Sequence, residues 1–241
     1  MPGLTYEDAC ARLSRVSEPV LGQVSVEHVQ LCPQSSGVLD AERATQLRES
    51  MPETRSRLHA NVRVEPERVL RDATHVRADP GYFASLGRVH HALGSDVYSL
   101  HAGRRGGPVD TLEQVFDNVR HLEDALGSTV AVEGLYPDAR RSFFLDDWSS
   151  YASLLESPVH FAIDLSHLHI VATRWRSLPR ALVHELLACE RCVEVHVSDN
   201  DGFRDQHRVL THEPWWWSFL SSVHPSAVVF TEANHRSSPT P

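Results

Sequence analysis

Glu194-Val-His-Val-Ser-Asp-Asn-Asp-Gly-Phe-Arg-Asp-Gln-His207 is the stretch on which the fold turns. It opens as a strand, because residues 192–197 are short, β-branched and alternating. It then breaks into a polar loop around Gly202. His196 stands where the strand ends, and Asp205-x-His207 follows in the loop. A carboxylate and an imidazole two residues apart, just beyond a third ligand-type residue, bring metal ligands to one point. The pattern gains weight because His, Glu and Asp recur at the ends of the other strands that the sequence predicts.

Those strands fall at residues 23–31, 57–64, 96–103, 129–133, 159–164, 193–197 and 227–232. Between them the sequence predicts helices at 40–49, 79–93, 111–126, 147–156, 179–187 and 214–223, with a further helical start at 66–73. Leu112, Val115, Phe116, Val119 and Leu122 form one apolar stripe on the 111–126 helix. A short helix is expected within residues 1–20 and a frayed tail at 236–241. No internal repeat or linker divides the chain, so residues 1–241 read as a single domain.

Strand alternating with helix in units of about thirty residues means parallel βαβ crossovers. Two architectures remain: a doubly wound sheet and a (β/α) TIM barrel, minimal or slightly incomplete, with seven strands identified and an eighth uncertain. In an open sheet the second and seventh strands end far apart. In a barrel all strand ends meet at one mouth. Polar residues at nearly every strand end therefore select the TIM barrel.

The chain is acidic, with a formal net charge of -9, and this argues against a nucleic-acid surface. Its 23 basic residues are all Arg, which excludes a Schiff-base lysine and a P-loop lysine. Cys189-x-x-Cys192 has no matching second pair and reads as ordinary packing rather than a redox or zinc motif. Neither a signal peptide nor an apolar run of spanning length is visible, and the expected setting is the reduced cytoplasm, away from membranes. Of the sixteen histidines, His90, His91, His121, His184 and His224 sit in contexts that predict surface positions.

Nine residues stand at, or a few positions beyond, the C-terminal ends of predicted strands: His59, His101, Glu133, Asp164, His167, His196, Asp205, His207 and Glu232. Glu133, Asp164 and Glu232 end apolar strands, where an unpaired charge is expensive and a cation removes the cost. Arg104 and Arg105 after His101, and Arg204 beside Asp205, are candidates to hold a substrate carboxylate or phosphate. Among Trp215, Trp216 and Trp217, which cannot all face one way, Trp215 is the candidate to line the mouth. Asp199 and Asp201 read as loop solvation before ligands, with Asp199 a spare ligand.

Val-Glu133, Asp164-x-x-His167, His196 and Glu232 resemble the metal sites of the xylose-isomerase-like (AP endonuclease family 2) TIM barrels, over roughly residues 55–235. The order of all nine residues follows the trinuclear site of endonuclease IV. The resemblance implies that His59 and His101 bind one metal and that Glu133 bridges it to a second. Asp164, His196 and Glu232 complete the second, and His167, Asp205 and His207 hold a third. The same skeleton, with Asp205-x-His207 and Glu213-Pro-Trp-Trp-Trp217, is similar to the multinuclear non-heme iron oxidative enzymes that modify peptide cysteine. The chain departs from that family at Gly134 and His167, where it usually carries Asn.

Four functions follow from these likenesses. One is oxidation by two or three metal ions, iron before zinc or manganese, of a small molecule or peptide cysteine, the peptide delivered by a partner protein. The others are sugar (phosphate) isomerisation or epimerisation on one divalent metal with a Glu133/Glu232 proton-transfer pair, zinc-dependent phosphoester hydrolysis, and a non-catalytic binding barrel. Glu133, Glu232 and His167 are the catalytic candidates.

Overall fold

The computed structural model describes residues 3–235. Seven strands form one parallel sheet, in spatial order β3 to β9, that curls into a nearly closed barrel. They are β3 (His28–Leu31), β4 (Arg55–Leu58), β5 (Val97–His101), β6 (Thr129–Glu133), β7 (His160–Asp164), β8 (Cys192–Val197) and β9 (Val228–Thr231). Each strand pairs with the next in sequence, as right-handed crossovers require. Two further strands, β1 (Ser17–Glu18) and β2 (Gly22–Gln23), make a small antiparallel hairpin before the barrel. No eighth barrel strand occurs among the described residues, so β3 and β9 are edges. The tail expected at 236–241 lies outside the described residues.

The helices form where sequence supplies their ends. Asp79 caps α3 (Pro80–Leu93) with Pro at its first turn, and Gly94 closes it at φ 69°. Thr111 and Gln114 form a capping box on α4 (Leu112–Leu126), and Asp147 with Ser150 does so on α5 (Trp148–Glu156). The apolar stripe of α4 is buried, with Val115, Val119 and Leu122 at 2% exposure or less. The remaining helices are α1 (Tyr6–Leu13), α2 (Ala41–Ser50) and α7 (Arg180–Ala188).

Five expectations are corrected. The second barrel strand ends at Leu58 rather than at residue 64, because Asn61 takes φ 62° and turns the chain out, its side chain accepting from the Arg71 amide at 2.9 Å. The 66–73 segment forms no helix, only a 3-10 turn at Ala73–His75. The segment after Trp215 is a 3-10 helix, Trp217–Ser222. An α-helix that the sequence reading omits, α6 (Leu165–Trp175), starts directly at the end of β7, because Asp164 is both strand end and N-cap. His90 is 1% exposed rather than on the surface, its Nε2 2.6 Å from Ser128 Oγ. Cys189 and Cys192 are unpaired, and Cys192 packs in the core.

Register levels the strand ends. His101 lies opposite Glu133, Asp164 opposite His196, and Val197 opposite Thr231 with Glu232 next in the chain. Side chains alternate along a strand, so the residues two positions earlier form the layer beneath. That layer contains Ser99, Ala131, Ala162 and Glu194, the two alanines clustering with Val97 in the barrel floor.

Gly134 follows Glu133 where the resemblance to the multinuclear non-heme iron oxidative enzymes implies Asn, and packing accounts for it. A Cβ at Gly134 would sit 2.5 Å from Tyr151 Cζ, and Tyr151 is fully buried with its hydroxyl donating to Leu135 O at 2.9 Å. Gly134→Ala is expected to destabilise the fold by about 1–3 kcal/mol, the usual range for overpacking. A lowered denaturant midpoint with an unchanged slope is the outcome to look for.

Candidate metal centre

Glu133, on the last residue of β6 and 1% exposed, is the centre of the mouth. Its Oε2 lies 3.4 Å from His59 Nε2 and 3.5 Å from His101 Nε2. Its Oε1 lies 3.2 Å from His196 Nδ1 and 3.6 Å from His167 Nδ1. Glu232 reaches the same neighbourhood from beyond β9, with Oε1 3.4 Å from His196 Nδ1 and 3.7 Å from His59 Nε2. Its Oε2 is 3.5 Å from His207 Nδ1. Asp205 Oδ2 joins His207 Nε2 at 3.1 Å to His167 Nε2 at 3.4 Å, and His167 Nε2 is 3.4 Å from Asp164 Oδ2. All nine sequence-predicted ligands thus fall in one connected cluster.

Most of these separations are long for hydrogen bonds, which centre near 2.9 Å. They match instead two donors about 2.1 Å from a shared ion at a tetrahedral angle, which stand about 3.4 Å apart. Glu133 Oε2, Asp164 Oδ2, Asp205 Oδ1 and His207 Nδ1 are buried without a hydrogen-bond partner. Orphaned buried oxygens of this kind call for a cation. Three sets of donors lie within 4.8 Å of one another: His59, His101 and Glu133; His59, His196 and Glu232; and Glu133, Asp164 and His167. The first is the set expected for one metal. In the other two the grouping differs from expectation, since His59 joins His196 and Glu232, and His167 joins Glu133 and Asp164. For His167 the cause is α6: its first turn hangs from Asp164 Oδ1, which accepts from the amides of Ser166 at 2.6 Å and His167 at 3.1 Å. The His167 ring is thereby set over Asp164 rather than out in a loop.

Second partners aim the imidazoles. His167 Nδ1 is 3.0 Å from Gly134 O, a pure acceptor, so Nδ1 carries the proton and Nε2 faces Asp164 and Asp205. His59 Nδ1 pairs with Ser99 Oγ at 3.0 Å. His196 Nε2 is 3.3 Å from Glu194 Oε2, which leaves Nδ1 toward Glu133 and Glu232. Glu194 is fully buried and itself held by Gln30 Nε2 at 2.8 Å and Arg57 Nη1 at 3.2 Å. Sequence reasoning missed Glu194, Gln30, Arg57 and Ser99. Strand parity was the available signal for Glu194, which shares a face with His196 two residues on.

Protonation follows these contacts. Burial pushes the His59 imidazole down to about 3, and burial also lowers His101. Burial alone would raise Glu133, but His196 and His59 hold it well below the usual carboxylate range. Burial would lower His196, but Glu232 and Glu133 raise it well above the usual imidazole range, and Asp164 and Asp205 do the same for His167. His207 is lifted to about 9 against its own burial by Asp205. Glu232 is pushed up to about 7 by burial and by Asp164 and Glu133, against the pull of His196.

The cluster opens into a cavity of about 630 Å³. Arg104 lines it, stacked over the Phe143 ring at 4.2 Å with Nη1 2.6 Å from Ser142 Oγ. The other two substrate-binding candidates are corrected. Arg204 is exposed and outside the lining, its amide tied to Asp201 Oδ1 at 2.9 Å. Trp215 packs edge-on to Phe219 and His169 instead of facing the cavity. Arg105 turns to the carbonyls of Phe143 and Phe144. Asp199 is no ligand here but bridges to Arg208 through the backbone. Tyr136, which the sequence reading passed over, lines the cavity with its ring 5.0 Å from that of His167.

No protein-family model matches this chain, and no curated protein matches it in sequence. Solved structures do match in shape. An AP endonuclease, family 2, from Brucella melitensis aligns with TM-score 0.63 at 17% identity, covering 98% of this chain and 94% of that one. The IolI protein with a bound zinc atom aligns at TM-score 0.58 and 10% identity, covering 94% and 83%. D-psicose 3-epimerase aligns at TM-score 0.55 and 11% identity, covering 91% and 77%. At such identities the likeness establishes the fold alone: this chain is a TIM barrel, similar in shape to the AP endonuclease, family 2, and to a xylose isomerase domain containing protein. No helix among the described residues is long and apolar enough to cross a membrane.

Two outcomes are expected. Glu133→Ala loses at least one metal ion per chain by elemental analysis, whereas Glu194→Gln keeps the ions but binds them about 10–100-fold more weakly, as loss of a ligand-orienting partner does. Full metal content in Glu133→Ala would remove it as the bridge. Because His167, His196 and His207 hold protons at neutral pH in the metal-free cluster, metal binding must expel them. Zinc affinity should climb as pH rises from neutral through about 9, where His207 titrates, with proton release read by calorimetry in two buffers. A pH-independent affinity is the contrary result.

Proposed function

We propose that this chain is a metal-dependent enzyme that moves a proton beside the carbonyl of a small hydroxycarbonyl compound, as sugar isomerases and epimerases do. The observation that supports it is the placing of Glu133 and Glu232 across the same two imidazoles. His196 Nδ1 is 3.2 Å from one and 3.4 Å from the other, and His59 Nε2 is 3.4 Å and 3.7 Å away. Both glutamates line a cavity of about 630 Å³, a size suited to one small molecule. The likeness in fold to D-psicose 3-epimerase and to a D-tagatose 3-epimerase-like protein supports the same reading.

Glu133, Asp164, His196 and Glu232 are the residues that would hold the principal ion, with His59, His101, His167, Asp205 and His207 available for one or two more. Imidazole and carboxylate donors suit zinc, manganese or iron. When bound, such an ion polarises a substrate carbonyl as a Lewis acid. Glu232, whose burial beside Asp164 and Glu133 favours its protonated form, would take and return a proton on one face of the substrate, and Glu133 would serve the other. Where only the principal ion is bound, His167, which Asp164 and Asp205 hold protonated, would supply a proton to the substrate oxygen. Iron-dependent oxidation of peptide cysteine gains no support from the fold or these neighbours. The convergence of all nine ligands favours one second reading, phosphoester hydrolysis of the endonuclease IV kind.

The test is hydrogen–deuterium exchange at the carbon beside the carbonyl, followed by NMR in D₂O. Hydroxyacetone, D-fructose and 1-hydroxy-2-octanone are offered to protein loaded with manganese or zinc. Exchange is expected, with a loss of about 100-fold or more in Glu232→Gln. No exchange with any of the three, together with cleavage of abasic DNA, would move the assignment to the second reading.

A further inference from the structure

The cavity does not stop at the metal centre. On β3, Gln30 points into the barrel, where its Nε2 touches Ser99 and Glu194, so its neighbour Val29 points out. On β9, the Phe230 ring stands 6.3 Å from His196 inside the barrel, so Val229 points out. Yet Val29, Gln30, Val229 and Phe230 all line this one cavity. A cavity touches both faces of two strands only where those strands are not hydrogen-bonded, and β3 and β9 are the unpaired edges of the sheet. A slot therefore runs outward between these two edges, which approach one another without pairing.

The chemistry changes along it. The inner end carries His59, Glu133 and Glu232. Phe230 stands between the two ends, and the outer end is walled by Val29 and Val229 and flanked by Leu13 at the end of α1 and by Val16 and Val24 on either side of the β1–β2 hairpin. Only four large hydrophobic side chains are exposed among the described residues, and two of them, Val229 at 45% and Leu70 at 66%, line this cavity. Bare apolar surface in a cavity continuous with a polar site is what an apolar substituent of a ligand covers.

We infer that the substrate is amphiphilic: its polar, chelating head faces the cluster and an apolar tail lies in the slot between β3 and β9. This rests on the reading of the cluster as a metal centre and narrows the substrate class from free sugars to hydroxycarbonyl compounds with a hydrocarbon substituent.

The probes are n-alkyl hydroxamic acids from acetohydroxamic to octanohydroxamic acid, titrated by calorimetry into zinc-loaded protein. The head chelates metal and each added methylene tests the slot. Affinity is expected to rise about threefold per methylene until the slot is full. In Val229→Asp and Val24→Asp the gain with length disappears while acetohydroxamic acid binds as before. Equal affinity along the series, or an undiminished gain in both variants, overturns the inference. Failure of acetohydroxamic acid to bind at all refutes the metal reading instead. The slot is then judged on metal-free protein with 1-butanol to 1-octanol, where affinity rising with length sustains it and a flat series overturns it.

Discussion

One buried carboxylate governs the molecule. Glu133 is enclosed at the barrel mouth with four imidazoles within 3.6 Å of its two oxygens. Burying a charge at such a depth is costly unless it is neutralised in place. Here the imidazoles neutralise it only by holding protons themselves, and His59 is too desolvated to do so. Four carboxylates and five imidazoles therefore compete for a few protons inside a poorly hydrated pocket. A cation relieves the competition in one step, because it satisfies the orphaned oxygens of Glu133 and Asp164 together.

The barrel is the device that makes this crowding achievable. Parallel register places His101 beside Glu133 and Asp164 beside His196. A layer of fixed partners beneath then sets the rings. Glu194 holds His196, Ser99 holds His59, and Arg57 and Gln30 hold Glu194. Asp164 performs two tasks with two oxygens, one capping α6 and the other facing the cluster. Rotating that carboxylate would disturb a helix, so packing energy is committed to ligand geometry.

The unpaired edges β3 and β9, with no eighth barrel strand among the described residues, shape the cavity. A closed barrel confines its ligand to the mouth. Here the seam between β3 and β9 leaves a path past Phe230 to Val229, and the β1–β2 hairpin stands near it rather than filling it. Glu18 of that hairpin, itself buried, accepts from Thr231 Oγ1 on β9 and ties the hairpin to the edge strand. The seam between β3 and β9 thus belongs to the same cavity as the strand ends.

Much of this was legible in the residues. Strand–helix alternation gave seven of seven barrel strands, and the recurrence of His, Asp and Glu at their ends named all nine members of the cluster, because each lies where a local pattern ends. What depended on distant contacts was not legible. The short second strand reflects the turn at Asn61 and its bond to Arg71. The place of α6 reflects a capping carboxylate that also reads as a ligand. The grouping of His59 with His196 and Glu232 depends on how the strands curve together, and the turning of Arg204 and Trp215 away from the cavity was not encoded locally. Local sequence determines which residues stand at strand ends, since periodicity is a property of neighbours in the chain. Only tertiary structure decides which strand ends meet and where the ring fails to close, since both depend on how seven strands share one cylinder.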